Sequence, residues 1–502
     1  MSSNLDKGAL GVKERSAAFL ITGLVIAEMV GALESGMAIQ LLYSNDPFFG
    51  TDIAKLSWIV TAYTLVAAAA VGVCGRLGDQ FGRRKVLIVA LLIATFGSLV
   101  SALAPNVEIV IAGRAIQGIA ACILPLTFGL ARAMLPKEKV PFAITLLGIT
   151  ASVAGASGIV FAGVIIDHFT WPVMFYFCAA VSLAACASTL VMIPKDSSSA
   201  LAGGKIDFLG VILFTVGIWS VLYAVTKSSE WGFTSSRTLL FAGTGAAVMA
   251  LWAMWELRVK EPVFELRRFR APRYSLTMLA TALAGIALLG MASVFNKAVM
   301  RTPEYIASPD GTIDLPIGLG FTATQASLPS VLGALVGLVL SPLIARLTRT
   351  LGAARTVMIA FASGILGYFG FLFTYDSAVL FVVNMVMLVA FGVGFVFAGL
   401  PMLIVECVPQ IETSAATGMQ VVVRTAFQGV GTAVVGVLLA LSTVDVGPRS
   451  FMSESGLQAT VLTGMAVSAL GLALVYVVSR VRVPEPLGNS RHAESTIPAT
   501  TE

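Results

Sequence analysis

The chain has 502 residues, of which 57% are hydrophobic and only 12% are charged. Because a soluble globular protein carries about 25% charged residues, this composition excludes a string of soluble domains and indicates many membrane-spanning segments. The formal net charge of +5 does not indicate a nucleic-acid partner, because the basic residues lie in short segments between apolar runs.

A helix that crosses the hydrocarbon core needs about 20 mostly apolar residues. The first apolar run, after Arg15, is longer than the core of a signal peptide, so we expect it to be retained as a helix. The sequence predicts an all-α polytopic membrane protein with fourteen transmembrane helices. The apolar runs lie near residues 17–43, 53–75, 86–104, 107–134, 141–166, 171–193, 207–227, 238–257, 274–299, 321–347, 355–375, 378–405, 413–441 and 459–480.

The charges between the runs set the predicted orientation. An even number of spans places both termini on one side, and most of the 32 Lys and Arg residues then lie on that side. Since basic residues are enriched in cytoplasmic loops, we expect a multi-pass protein of the cell membrane with both termini in the cytoplasm. The most basic segment, Glu256–Arg273, is then cytoplasmic.

Polar segments divide the runs into groups of six, two and six. Residues 1–193 are predicted to form an N-terminal six-helix bundle, residues 194–272 a linker with two inserted helices, residues 273–482 a C-terminal six-helix bundle, and residues 483–502 a disordered cytoplasmic tail. The loop GRLGDQFGRRKVLI of the first group weakly matches SPLIARLTRTLGAARTVMIA (Ser341–Ala360) of the second. Internal repeats of this kind are common in secondary transporters, whose site lies between the repeats near the midplane.

The densest charge cluster, GRLGDQFGRRK (Gly75–Lys85), lies between the second and third runs. Its glycines let the backbone turn tightly or approach a neighbouring helix, and Asp79 can meet a helix N-terminus or pair with Arg83. The alternative is a positive anchor that only fixes topology, although such an anchor needs neither the acid nor the glycines. The candidate gating residues are Gly75, Gly78, Asp79, Gly82, Arg83 and Arg84.

The charged residues inside predicted spans include two acids of the first run, Glu28 and Glu34, and Arg114 of the fourth. An ionised carboxylate at the bilayer centre costs a few kcal/mol, so Glu34 is expected to face an interior cavity, where we hypothesise that it exchanges a proton for substrate; the alternative is a permanent pair with Arg114. Glu28 lies about 240° away around the same helix, and it is either a second titrating site or part of a polar network. Arg114 stays charged, and it either acts on a nearby acid or substrate or holds helices together.

Further polar residues are candidates for the wall of a substrate cavity. Gln117 lies three residues after Arg114 and shares its face of the helix. Gln420, Arg424 and Gln428 recur every four residues and form one polar stripe, which would be costly against lipid. A structural network between helices is the alternative for this stripe. The candidate cavity residues are Gln117, Asn384, Gln420, Arg424 and Gln428.

Other chemistry is not indicated. The five cysteines show no metal or disulfide spacing, and the two histidines are far apart. No nucleotide-binding, zinc-protease or serine-hydrolase motif occurs, so we expect no enzyme, no catalytic residues, no metal and no cofactor. A channel is a further alternative, but two asymmetric glycine-rich bundles fit alternating access better.

Several motifs carry a resemblance to a known family. GRLGDQFGRR (Gly75–Arg84) resembles the loop signature of the major facilitator superfamily, and fourteen runs resemble its drug:proton antiporter branch. RAIQGIAACILP (Arg114–Pro125), WPVMF (Trp171–Phe175) and GFTATQASLPSVLG (Gly320–Gly333) are similar to further family segments. The resemblance implies a major facilitator fold of two six-helix bundles plus two inserted helices. It also implies a latch at the loop and a proton-coupling role for Arg114.

The fifth run departs from the family pattern. Its segment GASGIVFAG has Ile159 where the family usually has proline and Ala162 where it usually has glycine. A row of small residues also serves close helix packing without any role in antiport. The packing candidates are Gly155, Gly158 and Gly163.

The expected function is secondary active transport by alternating access, with proton-coupled export of hydrophobic or cationic compounds, as in multidrug efflux. The alternative is a carrier of the same fold for a specific, possibly anionic metabolite, in which Arg114 and Arg424 would bind a carboxylate. The expected partners are a small-molecule substrate, protons and the lipid bilayer, and we expect the chain to act as a monomer.

Overall fold

The computed structural model describes residues 3–38, 41, 48, 53–195, 207–232, 234–259, 262, 264–301, 305–308, 311–314, 317–321, 323–441, 443–446 and 449–481. Residues 196–206 of the predicted linker (194–272) and the predicted disordered tail at 483–502 lie outside these residues.

The first half of the described chain consists of long helices joined by short turns. Helices satisfy every backbone group internally, which the bilayer core requires. A five-residue 3₁₀ turn, Gly118–Cys122, joins α4 to α5 without interrupting the span. The helices are α1 (Ser3–Ala38), α2 (Ile53–Phe81), α3 (Arg83–Ala102), α4 (Val107–Gln117), α5 (Ile123–Met134), α6 (Val140–His168), α7 (Pro172–Met192), α8 (Phe208–Trp231) and α9 (Ser236–Glu256).

The second half repeats this plan and contains two π-helical turns, Gly285–Met291 and Leu388–Val393, inside spans. Its helices are α10 (Pro272–Ala284), α11 (Ala292–Arg301), α12 (Ala323–Leu351), α13 (Ala353–Thr374), α14 (Ala378–Met387), α15 (Gly394–Cys407), α16 (Thr413–Leu441) and α17 (Glu454–Arg480). Two short antiparallel hairpins, which the all-α prediction missed, pair β1 (Tyr305–Ser308) with β2 (Gly311–Asp314) and β3 (Thr443–Val446) with β4 (Arg449–Met452).

Eleven described helices or composite helices are long and apolar enough to cross a membrane, and the bent α2 makes a twelfth. The composite spans are Val107–Met134, Pro272–Met300 and Ala378–Cys407. At 1.5 Å per residue, α8 and α16, with 24 and 29 residues, are also longer than a hydrocarbon core of about 30 Å. The helical membrane class is therefore confirmed, whereas fourteen spans remain a prediction.

Two turns at corresponding places in the halves share an unusual backbone. Gly82, between α2 and α3, has φ of 107°, and Gly352, between α12 and α13, has φ of 87°. Glycine adopts these angles without the steric penalty of a side chain. The two loops, whose sequences match only weakly, thus share a glycine with positive φ at the turn between two helices.

Helices of the two halves contact each other along two seams. On one seam α2 and α5 pack against α16, and on the other α6 packs against α12 and α15. The α8 helix packs on α9 and also against both α2 and α16, so it lies beside the first seam.

Small residues bring α1 and α6 together. Gly36 of α1 lies against the carbonyl of Gly155, and a Cβ on Gly158 would lie 2.5 Å from the carbonyl oxygen of Leu33. Gly163 is half-buried further along α6. These contacts explain two of the three small residues by packing alone.

Candidate functional site

A cavity of about 480 Å³ lies among α1, α2, the 3₁₀ turn that follows α4, α5, α6, α15 and α16. Its wall is formed mainly by small and apolar side chains, with two charged residues, Glu28 and Arg424, and a few polar groups that include Tyr63 and Gln428. Its size falls within the range of about 300–1,000 Å³ that is usual for small-molecule sites. Because helices from both halves of the chain line it, a relative movement of the halves would reshape it.

Glu28 places a carboxyl group in this wall. The side chain is 3% exposed, and its Oε2 atom accepts a long hydrogen bond of 3.4 Å from the hydroxyl of Thr127. That hydroxyl lies closer to the carbonyl oxygen of Leu124, at 2.8 Å. Within the described part of the chain, no Lys, Arg or His nitrogen lies within ion-pair distance of Glu28. The carboxyl group is therefore buried, and a negative charge on it is supported by one long hydrogen bond and by the charge of Arg424, which is not in direct contact.

Arg424 brings a cation to the same cavity from α16. Its guanidinium carbon lies 4.2 Å from the centre of the Phe397 ring, which favours a cation through the negative face of the ring. Gln428, one turn later, also lines the cavity. Gln420, one turn earlier, is buried away from the cavity, and among the described atoms its side-chain oxygen and nitrogen have no hydrogen-bond partner. The predicted stripe therefore splits, and only two of its three residues face the cavity.

Glu34 lies in a separate polar network beside the cavity. The side chain is 1% exposed, and Oε1 accepts a hydrogen bond of 3.2 Å from Ser98. Ser98 in turn accepts one of 2.6 Å from the amide nitrogen of Gln117. The Gln117 oxygen accepts a 2.8 Å bond from Arg114. Gln117, predicted to line the cavity, thus serves instead as a link between Glu34 and Arg114.

Arg114 does not form a direct ion pair with the Glu34 carboxylate in the described structure. Its guanidinium donates to the backbone oxygens of Glu34 and Ile59, each at 3.3 Å. Its central carbon lies 4.4 Å from the centre of the Tyr63 ring. The alternative of a permanent Glu34–Arg114 pair is therefore not the arrangement found here.

Tyr63 connects the cavity with this network. Its ring lines the cavity and also faces Arg114, and its hydroxyl donates a 2.9 Å hydrogen bond to the carbonyl of Gly31 in α1. Tyr63 was not predicted from the sequence, because a tyrosine in an apolar run carries no signal of the face on which it lies. The one available signal was the presence of an intramembrane arginine, which favours an aromatic neighbour.

Asn384 is placed elsewhere. Its amide nitrogen donates a 2.9 Å hydrogen bond to the carbonyl of Gly367, which joins α14 to α13. Asn384 does not belong to the cavity wall among the described residues. The expectation that it lines the cavity is not met, because this amide satisfies a backbone oxygen of the neighbouring helix.

The turn between α2 and α3 contacts the start of α16. The carboxylate of Asp79 accepts 2.8 Å hydrogen bonds from the Arg83 side chain and from the backbone N–H of Ala415. Arg83 also donates to the Ser414 hydroxyl at 2.9 Å and to the carbonyl of Gln410 at 2.8 Å. The predicted pairing of Asp79 with Arg83 and with a helix N-terminus thus occurs on a single carboxylate. We call this group of Asp79, Arg83, Gln410, Ser414 and Ala415, together with Arg132 of α5 and its partner Thr413, the latch.

The end of α5 strengthens the same junction. Arg132 donates a 2.8 Å hydrogen bond to the hydroxyl of Thr413, and the Gln410 side chain donates to the Arg132 carbonyl at 3.0 Å. Gly75 lies close to the Ser414 carbonyl, since a Cβ there would be 2.6 Å from that oxygen. Arg132 was not predicted from the sequence, because its position at the end of an apolar run is also typical of a topology anchor.

The other two loop candidates act within the first half of the chain. Gly78 packs against the side chain of Leu126 in α5. Arg84 donates a 2.8 Å hydrogen bond to the Leu190 carbonyl near the end of α7. These contacts fix the turn against its own neighbours, while Asp79 and Arg83 reach the second half.

A helical membrane protein whose internal cavity is lined by both halves of the chain, and whose halves are hydrogen-bonded to each other at one end, has the architecture of a membrane transporter. The chain belongs to the Major Facilitator Superfamily, whose family model matches residues 18–432. It is accordingly a transporter and not an enzyme.

Similar proteins agree with this assignment. The chain is 29% identical to the uncharacterized MFS-type transporter YhcA of Bacillus subtilis over 59% of its length, and the match spans about half, 52%, of that relative. It is 26% identical to the multidrug resistance protein Stp of Mycobacterium tuberculosis, over 77% of this chain and 69% of that protein. The solved structure of the proton:xylose symporter XylE shares the fold with a TM-score of 0.60 and 12% identity, covering 93% of this chain and 96% of that one.

Proposed function

We propose that this transporter exports hydrophobic or cationic compounds in exchange for protons. The observation that carries the proposal is Glu28, a carboxyl group in the wall of an otherwise mostly small and apolar cavity. Such a cavity suits an apolar substrate, and a single carboxylate attracts a cation. The name of the Mycobacterium tuberculosis relative, a multidrug resistance protein, supports the same substrate class.

Glu28 is the proposed exchange site. A negative charge here has one long hydrogen bond and no ion pair in the described residues, so it is costly in a low-dielectric site. A proton or a cationic substrate would each remove that cost, and the two would therefore compete. Competition for one carboxylate couples their movements in opposite directions.

Glu34 and Arg114 have a supporting role in this proposal. Their network shares Tyr63 with the cavity wall, so a change of charge at Glu34 would be felt through Arg114 and the Tyr63 ring. Glu34 is proposed as a second protonation site that responds to occupancy of the cavity without touching substrate.

Alternating access requires a closed and an open arrangement of the same cavity. The latch joins α2, α3 and α5 to α16, and we assign its end of the molecule to the cytoplasm, because the basic loops lie there. Opening the cytoplasmic side would break the hydrogen bond between Asp79 and Ala415 and those of Arg83 to Ser414 and Gln410. The proposed architecture is fourteen spans in two six-helix bundles with α8 and α9 inserted between them, acting as a monomer.

The test is efflux of a lipophilic cationic dye from energised cells. Wild-type protein should export the dye, a protonophore should abolish export, and Glu28→Gln should lose proton-driven efflux while remaining correctly inserted. Glu34→Gln should keep part of the efflux with an altered pH dependence. Proton-driven efflux by Glu28→Gln at the wild-type rate would contradict the proposal.

Arg424 supports a second candidate, a carrier for an anionic metabolite. Its guanidinium lines the cavity and could bind a carboxylate, although Arg114, the other predicted ligand, is engaged outside the cavity wall. No dye efflux by inserted wild-type protein, together with uptake or release of a carboxylate that Arg424→Gln abolishes, would favour this candidate.

A further inference from the structure

A second cavity, distinct from the first, lies at the end of the molecule that carries the α2–α3 turn. Its volume is about 490 Å³, and it is bounded by α1 at Ala18–Thr22, by the beginning of α6 and by the last turns of α12. It therefore lies on the seam where α6 meets α12, between the two halves of the chain. No step of the proposed exchange cycle uses it.

The rim of this cavity is basic. Arg346 and Arg349 lie three residues apart on α12 and so share one face of the helix. Lys139 faces them from the start of α6, and Glu138 is the one acidic residue among the described residues of the lining. Both arginines are exposed, and three cations against one anion leave a net positive rim.

The floor of the cavity is apolar. It is formed by Ile21 of α1, Pro141 and Phe142 of α6, and Pro342 and Ala345 of α12. The start of α6 adds the positive end of a 29-residue helix, where backbone N–H groups favour an anion. A cationic rim above an apolar floor, at the level where a membrane helix ends, matches a molecule with a phosphate head and a hydrocarbon tail.

We propose that this cavity binds the headgroup of an acidic phospholipid. The phosphate would accept hydrogen bonds from Arg346 and Arg349, with Lys139 opposite, and the first part of an acyl chain would lie over Phe142 and Pro342. Because α6 and α12 belong to different halves, a bound lipid holds this end of the seam in its present arrangement. Acidic lipid in that leaflet then regulates how readily the halves separate.

The test measures the thermal unfolding midpoint of purified protein in detergent, titrated with phosphatidylglycerol, phosphatidylcholine or inorganic phosphate. Wild-type protein should be stabilised by phosphatidylglycerol alone, since a ligand that binds the folded state raises the midpoint. The double variant Arg346→Gln/Arg349→Gln should bind at least about tenfold more weakly, and Arg346→Lys/Arg349→Lys should restore most of the response. Each single glutamine variant should show a smaller loss, which keeps the test usable if the double variant folds poorly.

Arg355→Gln is the matched control, because Arg355 is an exposed arginine at the same end of the molecule and outside the cavity lining. It should respond to phosphatidylglycerol as wild-type protein does. An equal response to phosphatidylcholine, or an unchanged response in the double glutamine variant, would overturn the proposal. Equal stabilisation by inorganic phosphate would indicate that the cavity binds a free anion and not a lipid, which would also overturn the proposal.

Discussion

Removal of the Asp79 carboxylate should open the end of the transporter that the latch holds closed. In Asp79→Ala, the guanidinium of Arg83 loses its 2.8 Å ion pair with a side chain that is fully buried. The backbone N–H of Ala415 loses its 2.8 Å acceptor at the same time. Both groups reach water only when the halves separate, so the substitution acts against the closed state.

The size of the effect follows from these two contacts. Breaking a buried ion pair by removing one partner costs about 3–5 kcal/mol. Since about 1.4 kcal/mol corresponds to a factor of ten, the ratio of closed to open molecules should fall by roughly two to four orders of magnitude. Asp79→Asn keeps an oxygen for the N–H of Ala415 and should produce a smaller shift in the same direction.

The assay is the distance between spin labels on Lys137→Cys and Arg355→Cys, after replacement of the five native cysteines. Both label sites are exposed, and they lie in different halves at the latch end. Asp79→Ala should broaden and lengthen the distance distribution, whereas Lys85→Gln, which removes an exposed charge from the same turn, should not. An unchanged distribution in folded Asp79→Ala protein would refute the idea that this carboxylate holds the halves together.

Three further outcomes are expected. Gly82→Ala should lower the thermal unfolding midpoint, because φ of 107° costs a residue with a side chain about 1–3 kcal/mol. Gly243→Ala is the control, because Gly243 has open space around it, and it should leave the midpoint unchanged. Equal losses in the two variants would contradict the role of the backbone angle. Gln420→Leu should keep dye efflux and raise the free energy of unfolding by up to about 1–3 kcal/mol, since the buried polar atoms of Gln420 have no hydrogen-bond partner in the described structure. Loss of efflux would instead indicate that Gln420 contacts the substrate. Arg132→Gln should shift the spin-label distances less than Asp79→Ala, because it loses neutral acceptors only; a larger shift would reverse that ranking.

The helices were largely predictable because the bilayer leaves little choice. A run such as 107–134 must satisfy its backbone groups internally, and the structure has a span with the same bounds, Val107–Met134. The two hairpins were not predicted, since strands of four residues are too short to show an alternating pattern in polar loops.

The candidate site was predictable in composition but not in arrangement. Glu28 and Glu34 were both predicted from the sequence to be intramembrane acids. Glu34 was the first candidate for proton exchange in a cavity, whereas the acid in the cavity wall is Glu28. The face of α1 that meets the cavity is decided mainly by packing against α6 and α7, with smaller contacts to α5 and α2, and α1 has no separate polar stripe to indicate it. The side-chain network of Glu34, Ser98 and Gln117 likewise depends on how α1, α3 and α4 meet.

The latch shows a second limit. Arg83 and its partner Ser414 are 331 residues apart, and several of the other partners are backbone groups, such as the N–H of Ala415 and the carbonyl of Gln410. Backbone atoms are present at every residue, so no sequence pattern marks the ones that a distant arginine will meet.

The position of α8 makes the two sides of the molecule unequal toward the lipid. This helix lies against both α2 and α16, so it shields that seam from the surrounding acyl chains, whereas the α6–α12 seam contains a cleft at its end. An apolar molecule in the bilayer therefore meets α8 where α2 packs against α16, and meets a cleft where α6 packs against α12. The shell of lipid around the protein therefore contacts the two halves directly at the α6–α12 seam, but contacts the other seam through α8.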